Sequence, residues 1–113
     1  MVKTVDIGGK DIVFEANAYT PILYYRLFKR DLLREFSKAD GEETDISLLT
    51  SDLAAVMALS HGKDFSELAK IDLDMVGKWL VSIENPLALI EKSDEIFEIW
   101  LGNQKSEVEP KKK

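Results

Sequence analysis

The chain has 113 residues, no cysteine and one histidine, and its 15 basic against 21 acidic side chains leave a net charge of -6. That length supports one domain around a single modest core. The missing cysteines exclude a disulfide framework, a thiolate zinc site and a cysteine nucleophile, which suits a reducing cytoplasm. The longest purely apolar run, residues 54–59, falls far short of the roughly 20 residues a membrane span needs, and the first eleven residues lack the apolar stretch of a secretory signal.

Charge is unevenly spread. Residues 1–39 carry seven basic and five acidic side chains, 40–109 carry five and sixteen, and the last four add three lysines. The basic groups of the first part gather at Arg26, Lys29, Arg30, Arg34 and Lys38. Two readings fit: solvated helix faces, or a basic surface that meets an acidic one on another copy or partner. The acidic body argues against nucleic acid and membrane phosphate alike.

In chain order, residues 2–7 and 11–16 are rich in strand formers and flank Gly8-Gly9, predicting a β-hairpin that must lie against something else to be stable. Gly8-Gly9-Lys10 lacks the second glycine and the following Ser or Thr of a phosphate loop. Thr20-Pro21 predicts a cap and helix start, with a helix over 21–37. Its core stripe by helical spacing is Ile22, Tyr25, Phe28, Leu32, Leu33 and Phe36. Leu23, Tyr24 and Leu27 fall elsewhere, and the row of Leu23 and Leu27, one turn apart, continues into Arg30 and Arg34. This smaller patch is either covered within the domain or used for contact with another chain.

A polar loop follows over 38–44. Asp45 is expected to cap a helix over 46–60, with Leu49, Leu53, Val56, Met57 and Ser60 on one side and Ala54, Ala55 and Ala58 allowing close packing. Asp64 and Glu67 have capping-box spacing for a short helix near 65–70. Asp72 caps a helix over 73–84 that holds Met75, Val76, Trp79, Leu80 and Ile83. Asn85-Pro86 opens a last helix to Leu101, its apolar side made by Leu87, Ile90, Phe97, Trp100 and Leu101. The fold class is therefore mainly α: an N-terminal β-hairpin (2–16) and a compact bundle of four to five helices in one domain over 1–102, with a disordered polar tail over 103–113.

Chemistry is sparse. His61 sits in a last helical turn, where the helix dipole accounts for a cation, and with no second histidine or cysteine no zinc site can form. Asp72 and Asp74 resemble the opening of a calcium loop, but Val76 stands at the next ligand position, so capping is the better reading. Glu42, Glu43 and Asp45 lie in a solvated loop without an apolar pocket to raise a pKa. The serines have no base partner near in sequence. Enzymatic activity, cofactors and metals are not expected. Tyr24, Tyr25 and Phe28 beside cations can in principle stack bases, but their helical spacing favours packing.

The segment Phe14-Glu15-Ala16-Asn17-Ala18-Tyr19-Thr20-Pro21, continuing through Leu33, resembles the tail assembly chaperones of long, non-contractile-tailed bacteriophages of Gram-positive hosts. The Ala54-Ala55-Val56-Met57-Ala58 helix and the Ile96 to Leu101 stretch with Trp100 agree with it. The resemblance implies a non-enzymatic protein of the bacterial host cytoplasm, absent from the mature virion. Several copies would bind the long helical tape measure protein, keep it soluble and assist tail tube assembly. On this reading Leu23, Tyr24, Leu27, Arg30 and Arg34 are the candidate oligomer or client interface. Partners would be the tape measure protein, further copies of the chain in a ring or spiral, and a longer frameshifted form for which Lys111-Lys112-Lys113 would be the slippery run. The alternative is a cytoplasmic helical adaptor unrelated to phage tails.

Overall fold

The computed structural model describes residues 1–38 and 46–108. Its elements are β1 (Val2–Ile7), β2 (Lys10–Glu15), α1 (Thr20–Phe28), α2 (Leu32–Lys38), α3 (Ile46–Ser60), α4 (Phe65–Leu68), α5 (Leu73–Val81), α6 (Pro86–Ile90) and α7 (Ser93–Val108). The expected mainly helical fold with an N-terminal antiparallel hairpin is present. There are seven helices among the described residues, more than the four to five read from the sequence.

The hairpin pairs Val2 with Glu15 through Ile7 with Lys10. Only Gly8 and Gly9 are left in the turn, with φ of +62° and +91°, and such a turn requires positive φ at both positions. The Asp6 carboxylate accepts from the Gly9 amide at 2.7 Å. Gly8 also approaches α6 closely, since a Cβ there would stand 3.3 Å from that of Ala88.

Helix α3 is the axis of the molecule and touches β2, α1, α5, α6 and α7. Leu49, Leu53, Ala54, Ala55, Val56 and Met57 are all fully buried, as befits a helix that is apolar nearly all round. Phe14 and Ala16 of the hairpin strand and its exit, Leu32, Ile71, Ile96, Ile99 and Trp100 complete the core.

Two predicted helices are broken. The helix expected over 21–37 stops at Lys29, which adopts the left-handed conformation (φ 59°) while its amide closes the last turn on the Tyr25 carbonyl at 2.8 Å. After Arg30, the Asp31 carboxylate accepts from the Leu33 amide at 3.0 Å and starts α2. Neither glycine nor proline marks this break. The helix expected from Pro86 to Leu101 divides at Glu91-Lys92, where the Ser93 hydroxyl competes for backbone by bonding the Ile90 carbonyl at 2.7 Å. It lies 2.9 Å from the Thr50 hydroxyl of α3. Helix α7 then passes Gly102 and reaches Val108, so the polar segment expected to be disordered from Asn103 is helical that far.

The caps read from sequence fare unevenly. Asp64 and Glu67 form the reciprocal box, Asp72 accepts from the Met75 amide at 3.0 Å, and Asn85 from the Leu87 amide at 3.0 Å. Thr20 is not a cap: it is the first helical residue, buried, and its hydroxyl accepts backward from the Asn17 amide at 2.8 Å. Asp45, Glu42, Glu43 and the lysines at 111–113 lie outside the described residues.

Candidate interaction surface

The expected interface residues separate once folded. Leu23 and Tyr24 are fully buried and Leu27 nearly so, together with Thr20. These four recur at i, i+3, i+4 and i+7, and this is the face α1 turns to the core. The expectation that Leu23, Tyr24 and Leu27 are spare surface is corrected, and so is the stripe that assigned Ile22 and Tyr25 to the core, for both are 56% exposed. The physical reason is the break at Lys29. Leu32 and Phe36 belong to a second helix with its own axis, so a stripe drawn across both segments points nowhere in particular.

Arg30 is not a free surface charge either. Its guanidinium bonds Glu35 of α2 at 3.2 Å and, in a shorter contact, Asp52 of α3. It stands 5.5 Å from the ring centres of both Tyr24 and Phe28. Both carboxylates are buried. Burial pushes the Asp52 carboxyl above its ordinary value, outweighing the Arg30 bond and charge that hold it down, and nearby Glu35 adds to the rise. Burial likewise pushes the Tyr24 phenol upward. This knot ties α1, α2 and α3 together. Arg34 is exposed and remains available for contacts.

Arg26 is consumed similarly. Its forked head donates to the carbonyls of Ala69 (2.9 Å), Leu68 (3.0 Å) and Ile71 (3.2 Å), satisfying the end of α4 and clamping it to α1. This clamp sets the outward apolar residues of three helices beside each other. Tyr19 meets the exposed Phe65 ring edge-on at 5.5 Å. Pro21, Ile22 and Tyr25 line a depression of about 280 Å³, and Lys29 lies over the Tyr25 ring at 5.8 Å. Next along α1, Leu27, Lys29, Ile71 and Leu73 border a second hollow of about 550 Å³. Leu73, Gly77 and Val81, spaced one turn apart on α5, border a third of about 390 Å³. Leu73 is 57% and Val81 81% exposed, and nothing stands within 4 Å of where a Gly77 Cβ would be. A strip of exposed apolar side chains, Ile22 and Tyr25 on α1 and Leu73 and Val81 on α5, thus crosses the two helices, interrupted at the middle hollow by Arg26, Lys29, Asp72 and Asp74; exposed apolar patches are characteristic of protein-binding surfaces.

His61 lies at the end of α3 with Nδ1 3.5 Å from the Glu15 carboxylate, which also accepts from the Gly62 amide at 3.1 Å. No group of three or more His, Asp or Glu among the described residues is placed to hold a metal. No described helix is long and apolar enough to cross a membrane.

No protein-family model, curated protein or solved structure matches the chain.

The strip was legible only in part from sequence. Helical spacing across the whole of 21–37 assigns Ile22 and Tyr25 to the core, and the i, i+4, i+8 spacing of Leu73, Gly77 and Val81 is the signal that marks a second face of α5.

Proposed function

We propose that this protein is a tail assembly chaperone of a long-tailed bacteriophage, a non-enzymatic holder of the tape measure protein. The observation that carries this reading is the exposed apolar strip of Ile22 and Tyr25 on α1 and Leu73 and Val81 on α5. A client built of long amphipathic helices exposes apolar stripes until the tail tube encloses it, and a strip between two helices can cover such a stripe in the helix-in-groove manner. The resemblance in residues 14–33 supplies the identity of the client. The client-holding residues are now Ile22 and Tyr25 rather than Leu23, Tyr24 and Leu27.

The reading includes self-association of several copies, a longer frameshifted product and action in the host cytoplasm. Co-expression tests it: the large, helix-rich protein encoded beside this gene should be insoluble alone and soluble with this chain. A client that stays insoluble in its presence, or a neighbouring gene without such a product, overturns the reading in favour of a helical adaptor with another partner.

A further inference from the structure

Charges already satisfied within the chain are distributed differently from those left over. Arg26 and Arg30 are consumed by backbone carbonyls and by Glu35 and Asp52. Lys78 pairs with Asp74 on α5, and Lys92, in the link before α7, pairs with Glu95 of α7. Lys29 and Arg34 make no ion pair among the described residues and flank the link between α1 and α2, a shoulder that also carries exposed Leu33. Asp31 lies on the same link, and its carboxylate accepts from the Leu33 amide. The opposite pattern occupies the corner between α5 and α6. There exposed Leu87 stands one helical turn before exposed Glu91 and three residues after exposed Glu84, and neither glutamate makes an ion pair among the described residues.

We propose that the basic α1–α2 shoulder of one copy docks on the acidic α5–α6 corner of the next, a head-to-tail contact between two different faces of the same chain. Each face offers a large apolar side chain, Leu33 or Leu87, that is more than half exposed, and burying the two drives the contact. The charges choose the partner face. Shoulder against shoulder sets Lys29 and Arg34 against their copies, and corner against corner does the same for Glu84 and Glu91, so both two-fold arrangements are repelled while the mixed one is attracted. Asp31 on the shoulder and Lys10, which borders a groove with Glu84, are opposite in sign as well. A contact between unlike faces leaves one free face at each end, so it continues into a ring or an open spiral. This names the surfaces of the self-association that the chaperone reading includes, and it is measured without any client.

The decisive experiment mixes two variants. Leu33→Asp spoils the shoulder and Leu87→Asp the corner, at positions 58% and 61% exposed, so circular dichroism should show both folded. In sedimentation velocity the wild type should gain mass with concentration, each variant alone should remain a monomer, and an equimolar mixture should form a dimer and nothing larger. Arg34→Glu and Glu91→Lys supply a second pair, each weakening association and the mixture restoring it more strongly at low salt. A monomeric wild type, a single variant that assembles normally, or mixtures that stay monomeric overturn the proposal. Client solubility in co-expression reads the chaperone reading separately, so loss of one does not decide the other.

Discussion

Arg30, on the two-residue link between α1 and α2, forms its shortest ion pair with Asp52, which lies 22 positions away in the middle of α3. Because Glu35 shares the same guanidinium, removing the cation leaves two buried carboxylates facing each other. Breaking a buried pair from one side typically costs about 3–5 kcal/mol, whereas replacing all members with apolar groups is often neutral. Arg30→Met should therefore lower stability by about 3 kcal/mol, and Arg30→Glu should prevent folding. The triple change Arg30→Met, Glu35→Leu and Asp52→Leu should recover most of the loss in urea denaturation. If Arg30→Met denatures with the wild-type midpoint, the knot is not what holds the three helices.

The break itself sits on a lysine in a conformation that L-residues adopt at a cost of roughly 1–2 kcal/mol. Lys29→Gly removes that cost while keeping the amide that closes the turn on Tyr25. It also sacrifices the weak stacking of the ammonium on Tyr25. The net expectation is a gain of about 0.5–1 kcal/mol, and Lys29→Val, which tolerates positive φ worst, should lose at least as much. Thermal unfolding of the two variants checks both signs.

Tyr24 is fully buried and its hydroxyl has no hydrogen-bond partner among the described residues. A buried orphan of this kind costs about 1–3 kcal/mol, so Tyr24→Phe, which keeps the ring against Phe28 at 4.9 Å and under Arg30, should stabilise by about 1 kcal/mol. A destabilised Phe variant would mean that the hydroxyl is bonded in solution.

Much of the fold was legible because local chemistry dictates it. Paired glycines at 8 and 9 require the turn they form, and Asp64, Asp72 and Asn85 have the oxygen at the spacing a helix start needs. What was hidden depended on contacts between distant residues. The only local mark of the break at Lys29 is Asp31, whose carboxylate starts α2; the contacts of Arg30 with carboxylates on two other helices hold it, and no periodicity argument sees Asp52. With the break unseen, the faces of α1 were exchanged, so the candidate interface went to buried Leu23, Tyr24 and Leu27 and the true exposed pair, Ile22 and Tyr25, went to the core. Arg34 alone of the five candidates is on the outside as expected.

Two carboxylates should mark opposite ends of the stability profile. Asp52 has a folded-state pKa above the ordinary 3.8 because burial outweighs Arg30. The folded chain thus holds that proton more tightly than the unfolded one, and the stability it contributes is lost as pH rises through the elevated value. Asp64 is lowered below 3.8, first by the Glu67 amide and then by the Ser66 hydroxyl. Its contribution is present above 3.8 and lost as pH falls through the depressed value. In urea midpoints measured from about pH 2 to pH 7, Asp52→Asn should remove loss on the alkaline side of 3.8 and Asp64→Asn loss on the acid side. The same slope in both variants would refute the assignment.

The exchange of faces on α1 gives the sharpest separation of fold from function. Ile22→Asp and Tyr25→Asp alter side chains more than half exposed, where substitutions usually stay within about 0.5 kcal/mol. Leu23→Asp places a carboxylate among fully buried neighbours and should unfold the chain, since an unpaired buried charge costs several kcal/mol. If the strip holds the client, the first two variants should keep the wild-type circular dichroism and melting temperature yet leave the co-expressed client in the insoluble fraction. Adding Val81→Asp on α5 should deepen that loss without touching the fold. A client kept soluble by the folded Ile22→Asp, Tyr25→Asp double variant would move the binding surface off α1.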